Sequence, residues 1–170
     1  MRLNEISLTD KLSQTLAALG KHGLLLSSVG TDGRHNTMTI GWGCAGIIWG
    51  RPMFVVLVRP SRFTFGNVDA TGEFVVSVPG DDMHETCMFC GSASGRDVDK
   101  FAERGLTALE AETVRPPLIG QCIRHYECKV VHRNDVSDAE IAPQIRTDAY
   151  PKGDLHRLFY GHVLRVTERA

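Results

Sequence analysis

No long apolar run, no excess charge of either sign and no repeat or low-complexity segment occurs in this chain, and aromatic residues make up only 7% of it. Each shortage removes a class of protein. The 19 Lys and Arg are balanced by 20 Asp and Glu, for a formal net charge of -1. The chain therefore lacks the uniform positive field that grips a phosphate backbone, and no nucleic acid partner is expected. The densest apolar stretch, Met53 to Val58, is far shorter than the roughly 20 residues that cross a bilayer as a helix, so no membrane partner is expected either. Met1 to Gly20 carries Arg2, Glu5, Asp10 and Lys11 where a secretory signal would be continuously apolar. A cytoplasmic protein is the expectation.

The cysteines number 5, at Cys44, Cys87, Cys90, Cys122 and Cys128. That count is odd, and a chain of 170 residues is long enough to bury a core without staples, so free thiols and a single domain over residues 1–170 are expected.

Leucines 8, 12, 16 and 19 recur at helical spacing, which predicts a helix from near Thr9, with Lys21, His22 and Gly23 at its C-terminal end. Leu24 to Val29 between two glycines reads as a buried strand, Thr31-Asp32-Gly33 as a hairpin turn, and Asn36 to Trp42 as the partner strand. Met53 to Arg59 and Glu73 to Val78 are further strands, with a short helix from Ser61 to about Ala70 between them. Helices are expected between His84 and Gly105, the later one over Asp97 to Glu103. Gly120 to Asn134 and His156 to Thr167 read as closing strands, joined by a polar surface connection with one loose turn. Strands follow one another too closely for parallel crossovers, so the expected class is mainly β: an antiparallel, Greek-key β-barrel with short helices.

Two stretches carry chemistry. Arg59-Pro60-Ser61-Arg62-Phe63-Thr64 runs from a buried strand into a helix, with Ser61 as the expected N-cap and Thr64 in the first turn. Free backbone N–H groups, two hydroxyls and two guanidinium groups there suit a phosphomonoester of charge near -2. A solvated cap with surface arginines would have the same sequence. Asn36 to Trp42 alternates, with Thr37, Thr39 and Gly41 on one face and Asn36, Met38, Ile40 and Trp42 on the other. Hydroxyls, amides and an indole could cradle a flat heteroaromatic ring. The β-propensity of threonine would account for the strand equally well.

Taken in order, Asn36 to Gly43, Trp49 to Pro52, Val58 to Thr64, Thr71 to Phe74 and Ser94 to Phe101 resemble the flavin reductase-like, FMN-binding split-barrel family, and within it the flavoredoxin branch. The resemblance implies FMN as cofactor. Asn36, Thr37, Met38 and Thr39 would then contact the isoalloxazine ring, with Trp42 close by, and Arg59, Ser61, Arg62 and Thr64 would hold the phosphate. It also implies a homodimer with the flavin near the subunit interface. Phe63 stands where this branch is expected to have tyrosine, which removes one hydroxyl.

Other signals are weaker. Gly41-Trp42-Gly43-Cys44-Ala45-Gly46 has dinucleotide-fingerprint spacing, but the stretch after it is too short and broken for the required helix. His84, Cys87 and Cys90 could share a helix face, yet no second close pair of ligands completes a zinc site, and no metal is expected. Spacing defines no catalytic side chain.

The expectation is thus an FMN-dependent oxidoreductase in which the flavin itself takes hydride or electrons. NAD(P)H would be its donor in a flavin reductase. In a flavoredoxin-type carrier a protein partner would reduce it, and a third alternative is an FMN-binding module without a redox substrate of its own.

Overall fold

The apolar runs bounded by glycine and proline form strands because each can bury one face against a neighbour and satisfy its backbone laterally. In the computed structural model, which describes residues 2–170, β1 (Leu3–Ile6) and α1 (Leu12–Lys21) lead into the hairpin of β2 (Leu24–Val29) and β3 (His35–Ile40). A second hairpin follows, β4 (Gly43–Ile48) with β5 (Arg51–Val58), then α2 (Phe63–Thr71) and β6 (Glu73–Val78). After α3 (His84–Ser92), α4 (Lys100–Glu103) and the small ladder of β7 (Ala108–Leu109) with β8 (Leu118–Ile119), two long strands close the fold. These are β9 (Arg124–Asp135) and β10 (Arg157–Arg169), with α5 (Pro143–Ala149) between them.

All pairings are antiparallel, and the main sheet runs β3-β2-β6-β9-β10-β5-β4, with β1 added on β10. The expected mainly β barrel is observed. It is split because β10 changes neighbour along its length: Arg157 to His162 pair with β5, and the end near Val166 to Arg169 pairs with β1. Leu26, Phe54, Val56, Phe74, Tyr126 and Phe159 fill the interior, with the Phe54 and Tyr126 rings 5.2 Å apart.

Several boundaries differ from expectation. The first helix starts at Leu12, three residues later than predicted, because Lys11 takes the left-handed φ of 55°. Strands β1 and β4 were not expected. Asp99 caps α4 by accepting from the Phe101 and Ala102 amides, so that helix begins at Lys100, not Asp97. The N-cap of α2 is Arg62 in extended conformation, not Ser61, which stands one residue before the cap.

Gly161 sits where the β9–β10 register slips. A Cβ there would approach Cys128 Cβ to 2.8 Å and run into the Phe74 ring. Overpacking of this kind costs about 1–3 kcal/mol. Gly161→Ala is expected to lower the urea midpoint accordingly; an unchanged midpoint would mean the barrel interior yields more readily than its packing indicates.

Candidate functional site

Two adjoining cavities open beside β3, and Met38 and Arg62 line both. The first, of about 120 Å³, is polar and cationic. Asn36, Ser61, Arg62, Thr64, Arg96 and Lys100 contribute its polar groups, and no carboxylate lines it. The second, of about 170 Å³, has Thr39, Ile40, Gly41, Trp42, Leu57 and His156 around it. Shared walls make the pair one cleft, with one end dominated by cations and the other mixing the Met38, Ile40, Trp42 and Leu57 side chains with Arg59, Arg62 and His156.

Its position follows from the topology. β3 ends the sheet path, so one row of its backbone N–H and C=O groups has no strand beside it. Among the described residues, β3 has backbone hydrogen bonds to β2 and to no other element. Asn36 and Met38 of this strand line the first cavity, and Met38, Thr39 and Ile40 the second. An edge strand also explains why Met38 and Thr39, which point to opposite faces, both reach the cleft.

At the charged end, Asn36 Nδ2 donates to Thr64 Oγ1 at 2.7 Å, which ties the start of β3 to the first turn of α2. The turn from Ala93 to Arg96 lies against this pair. Gly95 is required there: a Cβ would stand 2.7 Å from Phe63 Cδ1 and overlap the Asn36 amide. Arg96 Nη1 donates to Ser61 O at 3.0 Å, and Arg34 Nη2 to Gly95 O at 2.7 Å. Lys100 is only 4% exposed, and its Nζ donates to Cys90 O at 2.7 Å. Burial pulls the Lys100 ammonium below its ordinary value, the Cys90 thiol opposes that shift and the Arg62 guanidinium adds to it. Among the described residues none of Arg34, Arg59, Arg62, Arg96 or Lys100 has a carboxylate within ion-pair distance, whereas Arg115, Arg124, Arg133, Arg157 and Arg165 all do. Unneutralised cations around a polar cavity define a place for an anion.

At the second cavity, His156 comes from the 149–156 segment, which Arg59 and Ser61 hold in place. Arg59 donates to the carbonyls of Ala149, Gly153 and Asp154 at 2.9, 3.3 and 3.0 Å, and its guanidinium lies 5.0 Å from the Tyr150 ring centroid. Ser61 gives its N–H and hydroxyl to the Asp154 carboxylate at 3.3 and 2.5 Å. The Trp42 indole packs against His156 at 4.9 Å and Tyr150 at 6.0 Å, and Tyr150 Oη bonds His156 Nδ1 at 2.8 Å. Burial, then the Arg59 charge, lowers the His156 pKa to about 4, so the ring facing the cleft is neutral at pH 7.

Of the residues singled out from sequence, Asn36, Met38, Ser61, Arg62 and Thr64 meet at the first cavity, and Thr39, Trp42 and Arg59 join Met38 and Arg62 at the second. Thr37 lines neither cavity. It is fully buried, and its hydroxyl faces Leu26 O at 3.4 Å. Lys100, Arg96 and His156 were not anticipated as site residues. Lys100 and Arg96 belong to the Ser94 to Phe101 stretch, which was legible as a motif and carried no assigned role. His84 is exposed while Cys87 and Cys90 are buried, and no metal-holding group of three or more His, Cys, Asp or Glu occurs among the described residues. Burial raises the Cys87 thiol to about 11 and raises that of Cys90 as well, so neither is a ready nucleophile.

The fold is that of the flavin reductase-like split barrels. Flavoredoxin of Desulfovibrio vulgaris (Miyazaki F) superposes with a TM-score of 0.70 at 23% identity, covering 86% of this chain and 69% of that one. An FMN-binding domain of a flavin reductases-like enzyme from Shewanella baltica OS155 gives 0.69 at 20% identity, over 98% and 77%. Residues 20–170 match the family described as flavin reductase like domain, and the chain belongs to that family. An uncharacterized protein of Archaeoglobus fulgidus is 29% identical over 78% of the chain, which spans 64% of that relative's length.

Proposed function

We propose that the cleft binds FMN and that the protein is a flavin-dependent oxidoreductase, residues 1–170 working as one flavin-binding domain. The observation that carries this reading is the pairing of a carboxylate-free cationic pocket with an adjoining cavity that sets Met38, Ile40, Trp42 and Leu57 beside polar groups, on the edge strand β3. A phosphate at the first would meet Arg62, Lys100, Arg96 and the Thr64 hydroxyl, with Ser61 at the rim. A planar ring at the second would have Met38 and Trp42 for apolar contact, the β3 backbone for hydrogen bonds and the Thr39 hydroxyl as an acceptor, its proton being given to Cys87 O at 2.6 Å. Bound there, the flavin would supply hydride and single-electron chemistry, and the protein would bind and orient it. NAD(P)H is the donor in this proposal. A homodimer in the cytoplasm completes it: Trp42 is 43% exposed at the mouth of the cleft, where a second subunit would cover it, and all five cysteines are free.

The test is a visible spectrum of protein soaked in FMN and desalted, followed by anaerobic NADH and then NADPH. Retained flavin bands that bleach within seconds are expected. Retention without bleaching would replace the reductase by a carrier that a protein partner reduces, and loss of all bands on desalting, with no binding on titration, would overturn the cofactor assignment.

A further inference from the structure

Ser61 lines the cationic cavity, yet its donors are already taken. Its N–H and its hydroxyl both go to the Asp154 carboxylate, at 3.3 and 2.5 Å. Among the described residues, no other carboxylate lies within hydrogen-bond distance of a residue that lines this cavity. Asp154 is also strained. Its φ is 56° and that of Gly153 is 76°, a left-handed turn that an L residue such as aspartate keeps only where its surroundings hold it.

Two holds are present. Arg59 grips the carbonyls of Gly153 and Asp154 from outside the first cavity, and Ser61 grips the Asp154 side chain from within its wall. Only the second hold conflicts with an anion. Ser61 has one amide proton and one hydroxyl proton, so a phosphate and the Asp154 carboxylate cannot both take them. Two anions around one hydroxyl also repel, and a phosphomonoester near -2 that meets Arg62 and Lys100 as well prevails over a single carboxylate. Asp154 is exposed, so once displaced it turns into water without a desolvation cost.

We infer that Asp154 is an internal stand-in for the cofactor phosphate: it latches the 149–156 segment to Ser61 while the first cavity holds no phosphate, and a flavin phosphate displaces it and frees that segment. The inference rests on the flavin reading above. Tyr150 and His156 of the same segment pack on Trp42 beside the second cavity, so an event at the phosphate loosens the wall around the ring. Riboflavin has no phosphate and leaves the latch closed. Asp154 thus sets how strongly the cleft distinguishes the two flavins.

Equilibrium dialysis of FMN and riboflavin against the wild type and Asp154→Asn, together with trypsin cleavage after Lys152 followed by mass spectrometry, tests it. Asparagine tolerates the left-handed backbone and removes the charge. Asp154→Asn is expected to tighten FMN by roughly three- to tenfold, the difference between a charged and a neutral acceptor on Ser61, and to move riboflavin by less than about twofold. In the wild type, FMN is expected to speed cleavage after the exposed Lys152 and riboflavin to leave it unchanged. FMN affinity unchanged or weakened in Asp154→Asn, or wild-type cleavage that FMN slows or leaves as it was, would overturn the latch and leave FMN binding intact. FMN held no better than riboflavin by the wild type would remove the phosphate site itself, and the latch with it.

Discussion

Arg62→Gln combined with Lys100→Met is expected to cut FMN affinity by roughly a hundredfold or more and to leave riboflavin affinity nearly unchanged, since each charge-assisted bond contributes about 1.5–3 kcal/mol. Both side chains line the charged cavity, and neither has an acidic partner whose loss would confuse the result. Lys100 is the more informative of the two. Its ammonium is buried and depressed in pKa, with Cys90 O as its protein acceptor. Keeping a charge there against desolvation makes sense when an anion arrives to stabilise it. Methionine keeps the volume and removes that desolvation cost, though it leaves Cys90 O without its donor, so the change in stability is expected to stay small. Dialysis with both flavins, beside a urea titration, separates the effects. Equal losses of FMN and riboflavin would show that the two cations shape the cleft and do not grip a phosphate.

Acid should weaken the fold through two buried histidines between about pH 6.5 and about 4. His125 is fully buried, and burial lowers its pKa to about 4; the pKa of His156 also falls to about 4. An unfolded histidine titrates near about 6.5. Between those values the unfolded chain takes up protons that the folded chain refuses, so stability is full above about pH 6.5, falls as the pH drops toward 4, and loses nothing further from these groups below it. Lowering the pH from 7.5 to 5 is expected to cost about 2 kcal/mol for each of the two rings. The carboxylates of Asp81, Asp135 and Glu168 have lowered pKa values and so act only at more acid pH. His125 Nδ1 sits 2.9 Å from Ser77 Oγ, and its Nε2 has no partner, so His125→Gln keeps a hydrogen-bonding group there and removes the titration. Urea unfolding at the two pH values should show about half the wild-type drop in the variant; a wild-type stability that is flat between pH 7.5 and 5 would defeat the argument.

These features were unequally visible in the sequence. β2 and β6 were read with their observed bounds because glycine and proline fence short apolar runs on both sides. β4 was missed because Gly43-Cys44-Ala45-Gly46 has neither alternation nor β-branching. It is a strand only because β5 pairs with it, so closely that a Cβ on Gly43 would stand 2.8 Å from Val55 O. β1 is likewise made by its partner, through the register of Leu3 with Arg169 and Ile6 with Val166. The site divides in the same way. Arg62 and Thr64 were legible from a strand running into a helix, a local pattern. Lys100 joins them because α4 brings it under the turn at Gly95, and Asp154 reaches Ser61 across 93 residues. No spacing along the chain encodes either approach.

The unpaired side of β3 has a meaning beyond ligand recognition. The same row of amide and carbonyl groups that would hold a ring is one onto which a strand of any other chain could zip, the usual beginning of edge-to-edge aggregation. Whatever fills the cleft therefore also guards the molecule's solubility, and substitutions that empty it would be felt in the yield of soluble protein as well as in chemistry.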